Sequence, residues 1–169
     1  FANYGHTVAQ ILLTKSDVEN KCRFKNFQNT MSRLLELEIL PIINENDTVA
    51  TEEIVIGDND TLAAIVSVSS EADLLVLLSD IDGLYTADPH KHSDAQLIPV
   101  VDKIDDKLLE LGGGEGSELG TGGMATKLHA AQMCMEAGID MIIANGRDPE
   151  LLYDIVMGRP VGTRFVGKR

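Results

Sequence analysis

Residues 118–144 read ELGTGGMATKLHAAQMCMEAGIDMIIA, and this stretch determines the expected fold. A glycine-rich segment leads into an amphipathic helical pattern over 128–137, which a short apolar run follows. The same alternation of helical patterns and apolar runs recurs along the chain. Because continuous apolar strands alternating with helices are typical of covered parallel sheets, we predict an α/β fold, a three-layer α/β/α sandwich with a mainly parallel sheet.

The periodicity of the apolar residues gives the expected order of elements. The strands are expected at residues 7–14, 39–43, 74–79, 98–101, 139–144 and 162–165. The helices are expected at residues 21–37, 60–71, 105–111, 123–137 and 149–157.

The glycine-rich segment has the composition of an anion-binding loop. The three glycines of residues 120–123 surround Thr121, and Lys127 follows at the start of the helical pattern. A glycine backbone can point several N–H groups at one ligand, and a helix that starts there adds the positive end of its dipole. Lys127 supplies a full charge, and Thr121 and Thr126 supply hydroxyls. These features suit a phosphate chain, and the alternative is a surface loop that caps a helix.

Two further polar clusters lie near the expected strand at residues 39–43, which we expect to be buried. Residues 44–47, NEND, end that strand, and residues 57–60, GDND, precede a helix. Ligands of open α/β sheets bind beyond the carboxyl ends of the strands, so polar groups are expected to converge there. Asp58 or Asn59 could instead be a helix N-cap, and the cluster could be a solvated acidic loop.

Another polar cluster follows the most apolar strand, LLVLL at residues 74–78. Ser79 and Asp80 end it, and the turn-rich sequence IDGLYTADP comes next. Tyr85 in this segment either packs on a nucleotide base or fills the space under a loop.

Five motifs in this order and spacing resemble those of the amino acid kinase family. They are INEND (43–47), GDND (57–60), LLSDIDGLYTADP (77–89), GTGGMATK (120–127) and IIANG (142–146). The resemblance extends from about residue 5 to residue 165. Within the family it is stronger to the members that phosphorylate glutamate than to the acetylglutamate, aspartate, carbamate or uridylate kinases.

The resemblance implies transfer of the γ-phosphoryl group of ATP to the γ-carboxylate of L-glutamate, the first step of proline biosynthesis. It implies two catalytic residues: Lys127 on the phosphates and Asp60 as a carboxylate that holds catalytic lysines in place. Asp47 and Asn59 are the implied glutamate ligands, with Asn44 near them. The implied ATP contacts are Ser79, Asp80, Thr121, Gly122, Gly123, Met124, Ala125, Thr126 and Lys127. Mg²⁺ is implied by the ATP chemistry and is expected to be held mainly by phosphates and water.

The resemblance also implies partners and boundaries. Proline is the expected feedback inhibitor, a homo-oligomer is expected, and the loop at residues 48–56 is expected to move or to be poorly ordered without ligand. Residues 1–169 match an amino acid kinase domain without its N-terminal third, which carries a further lysine and a phosphate loop, and without an RNA-binding-like C-terminal domain. This chain alone is therefore expected to be inactive and to expose apolar strand faces.

The charge of the chain disfavours some partners. With 27 acidic and 14 basic residues, the net charge is −13, whereas nucleic acids and anionic membranes reward Lys and Arg. Cys22 and Cys134 lack CxxC spacing, and no apolar run reaches the length of a membrane span, so a cytoplasmic protein is expected. Two alternatives stay open: another carboxylate or carbamate kinase of the same fold, and a non-catalytic domain that senses an amino acid or a nucleotide.

Overall fold

The computed structural model describes residues 1–49, 58–89, 91–111 and 122–168. The chain divides into two compact units, Phe1–Leu62 and Ala63–Arg169. The predicted order of helices and strands is confirmed in the described residues, with bounds that differ by two residues or fewer.

The first unit contains a pair of parallel strands and the helices between them. The elements are β1 (Val8–Leu13), α1 (Lys15–Glu19), α2 (Lys21–Glu36), β2 (Leu40–Glu45) and the start of α3 (Asn59–Ser69). In the register of the two strands, Val8 lies opposite Leu40 and Leu13 lies opposite Glu45. Two strands that run parallel need a crossover connection, which α1 and α2 provide.

Helix α1 was not predicted, because five residues are too short to show a helical period. Local hydrogen bonds to one side chain stabilise its first turn. The carboxylate of Asp17 accepts hydrogen bonds from the backbone N–H of Thr14 at 2.9 Å and from its hydroxyl at 2.7 Å. The guanidinium of Arg23 binds the other oxygen of Asp17 at 3.1 Å. These bonds lower the pKa of Asp17, the hydroxyl of Thr14 having the largest effect.

The strand predicted at residues 39–43 exists as β2, but the expectation that it is buried is wrong. Leu40 and Ile42 are 43 % and 41 % exposed, as are Val8 and Leu12 on β1 at 41 % each. Among the described residues β2 pairs with β1 alone, and alternate positions of both strands are exposed. One face of this two-stranded sheet therefore exposes four apolar side chains together with Gln10 and Asn44.

The second unit holds a four-stranded sheet in the order β3-β5-β6-β4. Its elements after the remainder of α3 are β3 (Leu74–Ser79), β4 (Val100–Val101), α4 (Asp106–Leu111), α5 (Gly122–Glu136), β5 (Asp140–Asn145), α6 (Leu151–Val156) and β6 (Thr163–Phe165). β3 pairs with β5 and β4 pairs with β6 in parallel, whereas β5 and β6 are antiparallel. The sheet of this unit is thus mainly parallel, as predicted.

The core of the second unit lies where α5 meets the sheet. The largest side chains that are fully buried there include Leu128 and Cys134 of α5, Met141 and Ile143 of β5, and Phe165 of β6. Residues 140–144 of β5 are all buried, as expected for a central strand with covered faces. No helix in the described part of the chain is long and apolar enough to cross a membrane.

Candidate active site

The carboxyl ends of β3 and β5 lie side by side in the second unit. Ser79, the last residue of β3, pairs in register with Asn145, the last residue of β5. The N–H of Gly146 donates to the carbonyl oxygen of Ser79 at 2.7 Å, which continues the pairing beyond the strands. Because ligands in open α/β sheets bind at such strand ends, this edge is the candidate site of the unit.

Two of the predicted ATP contacts, Ser79 and Asp80, lie at this edge. The hydroxyl of Ser79 donates to the carboxylate of Asp80 at 3.1 Å, and the Asp80 side chain is exposed. This bond orients one oxygen of Asp80 and leaves the carboxylate accessible to a ligand.

Sequence reasoning missed the residue that joins the two strand ends. The amide of Asn145 donates to Oδ1 of Asp82 at 2.7 Å, and the hydroxyl of Tyr85 donates to Oδ2 at 3.0 Å. The hydrogen bond from Asn145, followed by that from Tyr85, lowers the pKa of Asp82, so its carboxylate is the charged acceptor of both bonds. The same carboxylate raises the pKa of Tyr85. The sequence showed Asp82 only as a turn residue; the position of Asn145 at a strand end was the available signal.

Helix α5 brings the predicted phosphate residues into its first two turns. The hydroxyl of Thr126 and the ammonium of Lys127 both donate to the carbonyl oxygen of Gly123, at 2.9 Å and 3.4 Å. The Lys127 side chain therefore bends back toward the amino end of the helix. Gly123 and Ala125 are exposed, whereas Met124 packs against the core, which leaves its backbone as the group available to a ligand. Gly122 opens the helix, and Thr121 lies outside the described residues.

The predicted glutamate ligands on β2 are exposed at the carboxyl end of that strand. Asn44 is on β2, and Asp47 lies in the turn beyond it. The N–H of Asn46 donates to the carbonyl oxygen of Leu13 at 2.7 Å, and the hydroxyl of Thr48 donates to the Asn46 side chain at 2.5 Å. The turn is thus held to the end of β1, while Asn44 and Asp47 face solvent.

The GDND cluster opens α3, and its parts differ in role. Asp58 is the N-cap: its carboxylate accepts the N–H of Thr61 at 2.7 Å and the hydroxyl of Thr61 at 2.8 Å. The helix-cap alternative is therefore confirmed for Asp58. Asn59 is exposed and Asp60 is half-buried, which leaves the predicted ligand Asn59 accessible. Of the loop at 48–56, which was expected to move, only Thr48 and Val49 are described.

Within residues 1–49, 58–89, 91–111 and 122–168, no group of three or more His, Cys, Asp and Glu side chains is arranged to hold a metal ion.

Comparison with known proteins identifies the class. The amino acid kinase family model matches residues 1–145, and the chain belongs to that family. Solved structures agree on the fold. The match to an isopentenyl phosphate kinase covers 98 % of this chain and 61 % of the kinase chain, with a TM-score of 0.67 at 19 % identity. The match to a carbamate kinase from Giardia lamblia bound to AMP-PNP covers 99 % of this chain and 65 % of the kinase chain, with a TM-score of 0.68 at 16 % identity.

Curated relatives are more similar in sequence. The chain is 53 % identical over 165 residues to the glutamate 5-kinase of Clostridium tetani, which covers 98 % of the chain and 62 % of that protein. It is 53 % identical over 167 residues to the glutamate 5-kinase of Photorhabdus laumondii, which covers 99 % of the chain and 45 % of that protein. The chain therefore spans less than two thirds of the length of either relative.

Proposed function

We propose that the protein carrying this chain is an ATP-dependent kinase of the γ-carboxylate of L-glutamate, which forms γ-glutamyl phosphate for proline biosynthesis. One observation carries the proposal: about half of the positions along nearly the whole chain are identical to glutamate 5-kinases. The solved kinases that act on other substrates share the fold at 16–20 % identity.

In phosphoryl transfer the protein positions the two substrates and neutralises charge on the phosphates, and it supplies little covalent chemistry. Lys127 and the amino end of α5 would supply the positive charge. The ammonium of Lys127 lies 3.4 Å from the Gly123 carbonyl oxygen, at the end of the helix where the dipole is already positive. Two like charges at one place favour the arrival of an anion, which the phosphates of ATP would be.

Ser79 and Asp80 would hold the nucleotide at the carboxyl ends of β3 and β5. The half-buried hydroxyl of Ser79 and the exposed carboxylate of Asp80 are oxygen donors of the type that Mg²⁺ accepts, so these residues fit a nucleotide that arrives as its magnesium complex. The ion would neutralise charge on the phosphates, and most of its ligands would be phosphate oxygens and water. Thr121, Gly122, Gly123, Met124, Ala125 and Thr126 are proposed to supply backbone N–H groups and hydroxyls to the same phosphates.

Glutamate would bind through residues of the first unit. Asp47 is proposed to accept the α-ammonium group, Asn59 to donate to a carboxylate, and Asn44 to lie beside them. Asn44, Asp47 and Asn59 are all exposed and carry the required donors or acceptors. Asp60 is proposed to hold catalytic lysines in place, a role that its half-buried position allows.

Regulation and assembly are part of the same proposal. Proline, which resembles a cyclised glutamate, would compete for the glutamate region and raise the apparent KM for glutamate. The protein is proposed to form a homo-oligomer and to work in the cytoplasm.

A hydroxamate assay of the full-length protein with ATP and Mg²⁺ tests the reaction. Hydroxylamine traps an acyl phosphate, so glutamate should give a signal that acetylglutamate, aspartate and carbamate do not. A larger signal with one of those substrates would favour another kinase of the same fold. Saturable binding of ATP and glutamate without any turnover would favour the sensing domain.

A further inference from the structure

The Asp82 carboxylate uses both of its oxygens to join two segments that lie far apart in sequence. Oδ1 accepts from Asn145 at the end of β5 and Oδ2 accepts from Tyr85 in the loop after β3, 2.7 Å and 3.0 Å away. The amide oxygen of Asn145 in turn accepts the N–H of Arg147 at 3.0 Å. One carboxylate thus ties the loop after β3 to the turn after β5.

This link lies between two anchors of the same loop. On one side, Ser79 is held by its register with Asn145. On the other side, the N–H of Leu84 donates to the buried hydroxyl of Thr163 at 2.8 Å, and that hydroxyl donates to the carbonyl oxygen of Ile98 at 2.6 Å. Both outer anchors are built into the sheet, whereas the Asp82 bonds hold the exposed residues between them.

Folding stability does not account for the Asp82 bonds. Asp82 is exposed, and hydrogen bonds between groups that water can reach add little to the free energy of unfolding. Their effect is instead local, because they restrict the loop that starts with Ser79 and Asp80. Positions of this kind are more often needed for a ligand than for the core.

We propose that Asp82 is a positioning residue of the nucleotide site, which holds the Ser79–Asp80 segment against the end of β5 so that ATP meets a preformed surface. The inference rests on the proposed function in that it places the nucleotide at these strand ends. Both Asp82 oxygens already have protein donors, so its action is through Asn145 and Tyr85 rather than through contact with ATP. Preorganisation of this kind improves affinity by reducing the ordering that binding requires.

The test compares Asp82→Ala with Asp82→Asn and Asp73→Ala in the full-length protein. Binding of AMP-PNP with Mg²⁺ is measured by calorimetry without glutamate, and the KM values for ATP and glutamate are measured separately. Asp73→Ala is the matched control, because Asp73 is exposed and immediately precedes β3, at the other end of that strand. Asp82→Asn keeps the shape: its amide oxygen can accept from Asn145, and its NH₂ can donate to the Tyr85 oxygen.

We expect Asp82→Ala to weaken AMP-PNP binding and raise the KM for ATP by about 5- to 20-fold, the scale of having to order one or two further side chains when the nucleotide binds. The KM for glutamate and the melting temperature should stay close to the wild-type values. Asp82→Asn should lose no more than about 2-fold, and Asp73→Ala should match the wild type. Asn145→Ala added to Asp82→Ala should weaken AMP-PNP binding little further, because both substitutions remove the same Asn145–Asp82 hydrogen bond.

Three results would overturn the inference: AMP-PNP affinity within 2-fold of wild type in Asp82→Ala, an equal rise in the KM for glutamate, or a loss in Asp82→Asn as large as in Asp82→Ala. Should Asp82→Ala fail to fold, Asn145→Ala breaks the same link and is judged by the same measurements. Because AMP-PNP binding needs no glutamate, a protein that binds the nucleotide but does not phosphorylate glutamate refutes the proposed reaction and leaves this test intact.

Discussion

The ammonium of Lys127 donates to the carbonyl oxygen of Gly123, 3.4 Å away and one helical turn earlier. This contact keeps a positive charge at the positive end of the α5 dipole, where an isolated helix would favour an acidic residue. Substitution of Lys127 should therefore lower the activity and leave the fold intact.

Lys127→Ala should lower kcat by about 100-fold or more, the scale of losing one group that stabilises charge in the transition state. The fold should survive, because the buried face of α5 carries Leu128 and Cys134 and is unchanged. Steady-state kinetics of glutamyl hydroxamate formation give kcat, and circular dichroism checks the fold. Lys107→Ala on the exposed side of α4 is the control. A kcat within a few-fold of wild type would remove Lys127 from the mechanism.

Asp47→Ala should raise the KM for glutamate by about 10-fold or more and leave the KM for ATP nearly unchanged. The variant removes the proposed partner of the α-ammonium group, and a hydrogen bond to a charged group is worth roughly 1.5–3 kcal/mol. The measurement is a pair of substrate titrations, with Asp94→Ala in an exposed loop as the control. If only the KM for ATP rises, Asp47 belongs to the nucleotide site instead.

The order of the elements was predictable because long apolar patterns dominate this chain. Residues 74–78 and 141–144 are continuous apolar runs, which are typical of covered strands, and α5 buries Leu128, Ala131 and Cys134. The antiparallel pairing of β5 and β6 was not predictable. The direction in which a three-residue strand joins a sheet depends on neighbours that are distant in sequence. The apolar run of β2 predicted a buried strand, which is wrong, because such a run shows that burial is favourable and does not show which residues supply the cover. The exposure of apolar strand faces was expected from the family resemblance alone.

The candidate site was predictable where its residues follow one another in sequence. Lys127 and Thr126 share a turn of α5 with Gly123, and Asp58 caps α3 by a bond to Thr61 three positions on. The Asp82–Asn145 pair spans 63 positions and forms only because β3 and β5 are neighbours in the sheet. Periodicity and local motifs in one sequence give no information about a pairing between residues so far apart.

The two cysteines should differ strongly in reactivity with an alkylating reagent. Cys22 is exposed near the start of α2, whereas Cys134 is fully buried and burial raises its pKa to about 11. At pH 8 only about one Cys134 side chain in a thousand would be a thiolate, which is the reactive form. Mass spectrometry of the peptides that carry each cysteine should show rapid labelling of Cys22 and labelling of Cys134 only in denaturant. Equal labelling rates in the native protein would show that α5 opens far more readily than its packing suggests.

Gly162→Ala should destabilise the protein much more than Gly158→Ala. Both glycines have left-handed backbone angles, with φ of 63° and 74°, so alanine at either position is strained by roughly 1–2 kcal/mol. An alanine methyl at Gly162 would also overlap with the carbonyl oxygen of Ile143 and lie 3.0 Å from that of Asp82, whereas at Gly158 it would meet no atom within 4 Å.

The overlap at Gly162 can be relieved only by moving β6 away from β5, because Thr163, the next residue, pairs with Ile143. We therefore expect a loss of about 3 kcal/mol or more for Gly162→Ala and of about 1 kcal/mol for Gly158→Ala, measured as free energies of unfolding in urea. Because the strain is shared, the difference between the two variants reports the close packing of β6 on β5. Equal losses in the two variants would mean that this packing yields at little cost and that β6 is not a fixed strand of the sheet.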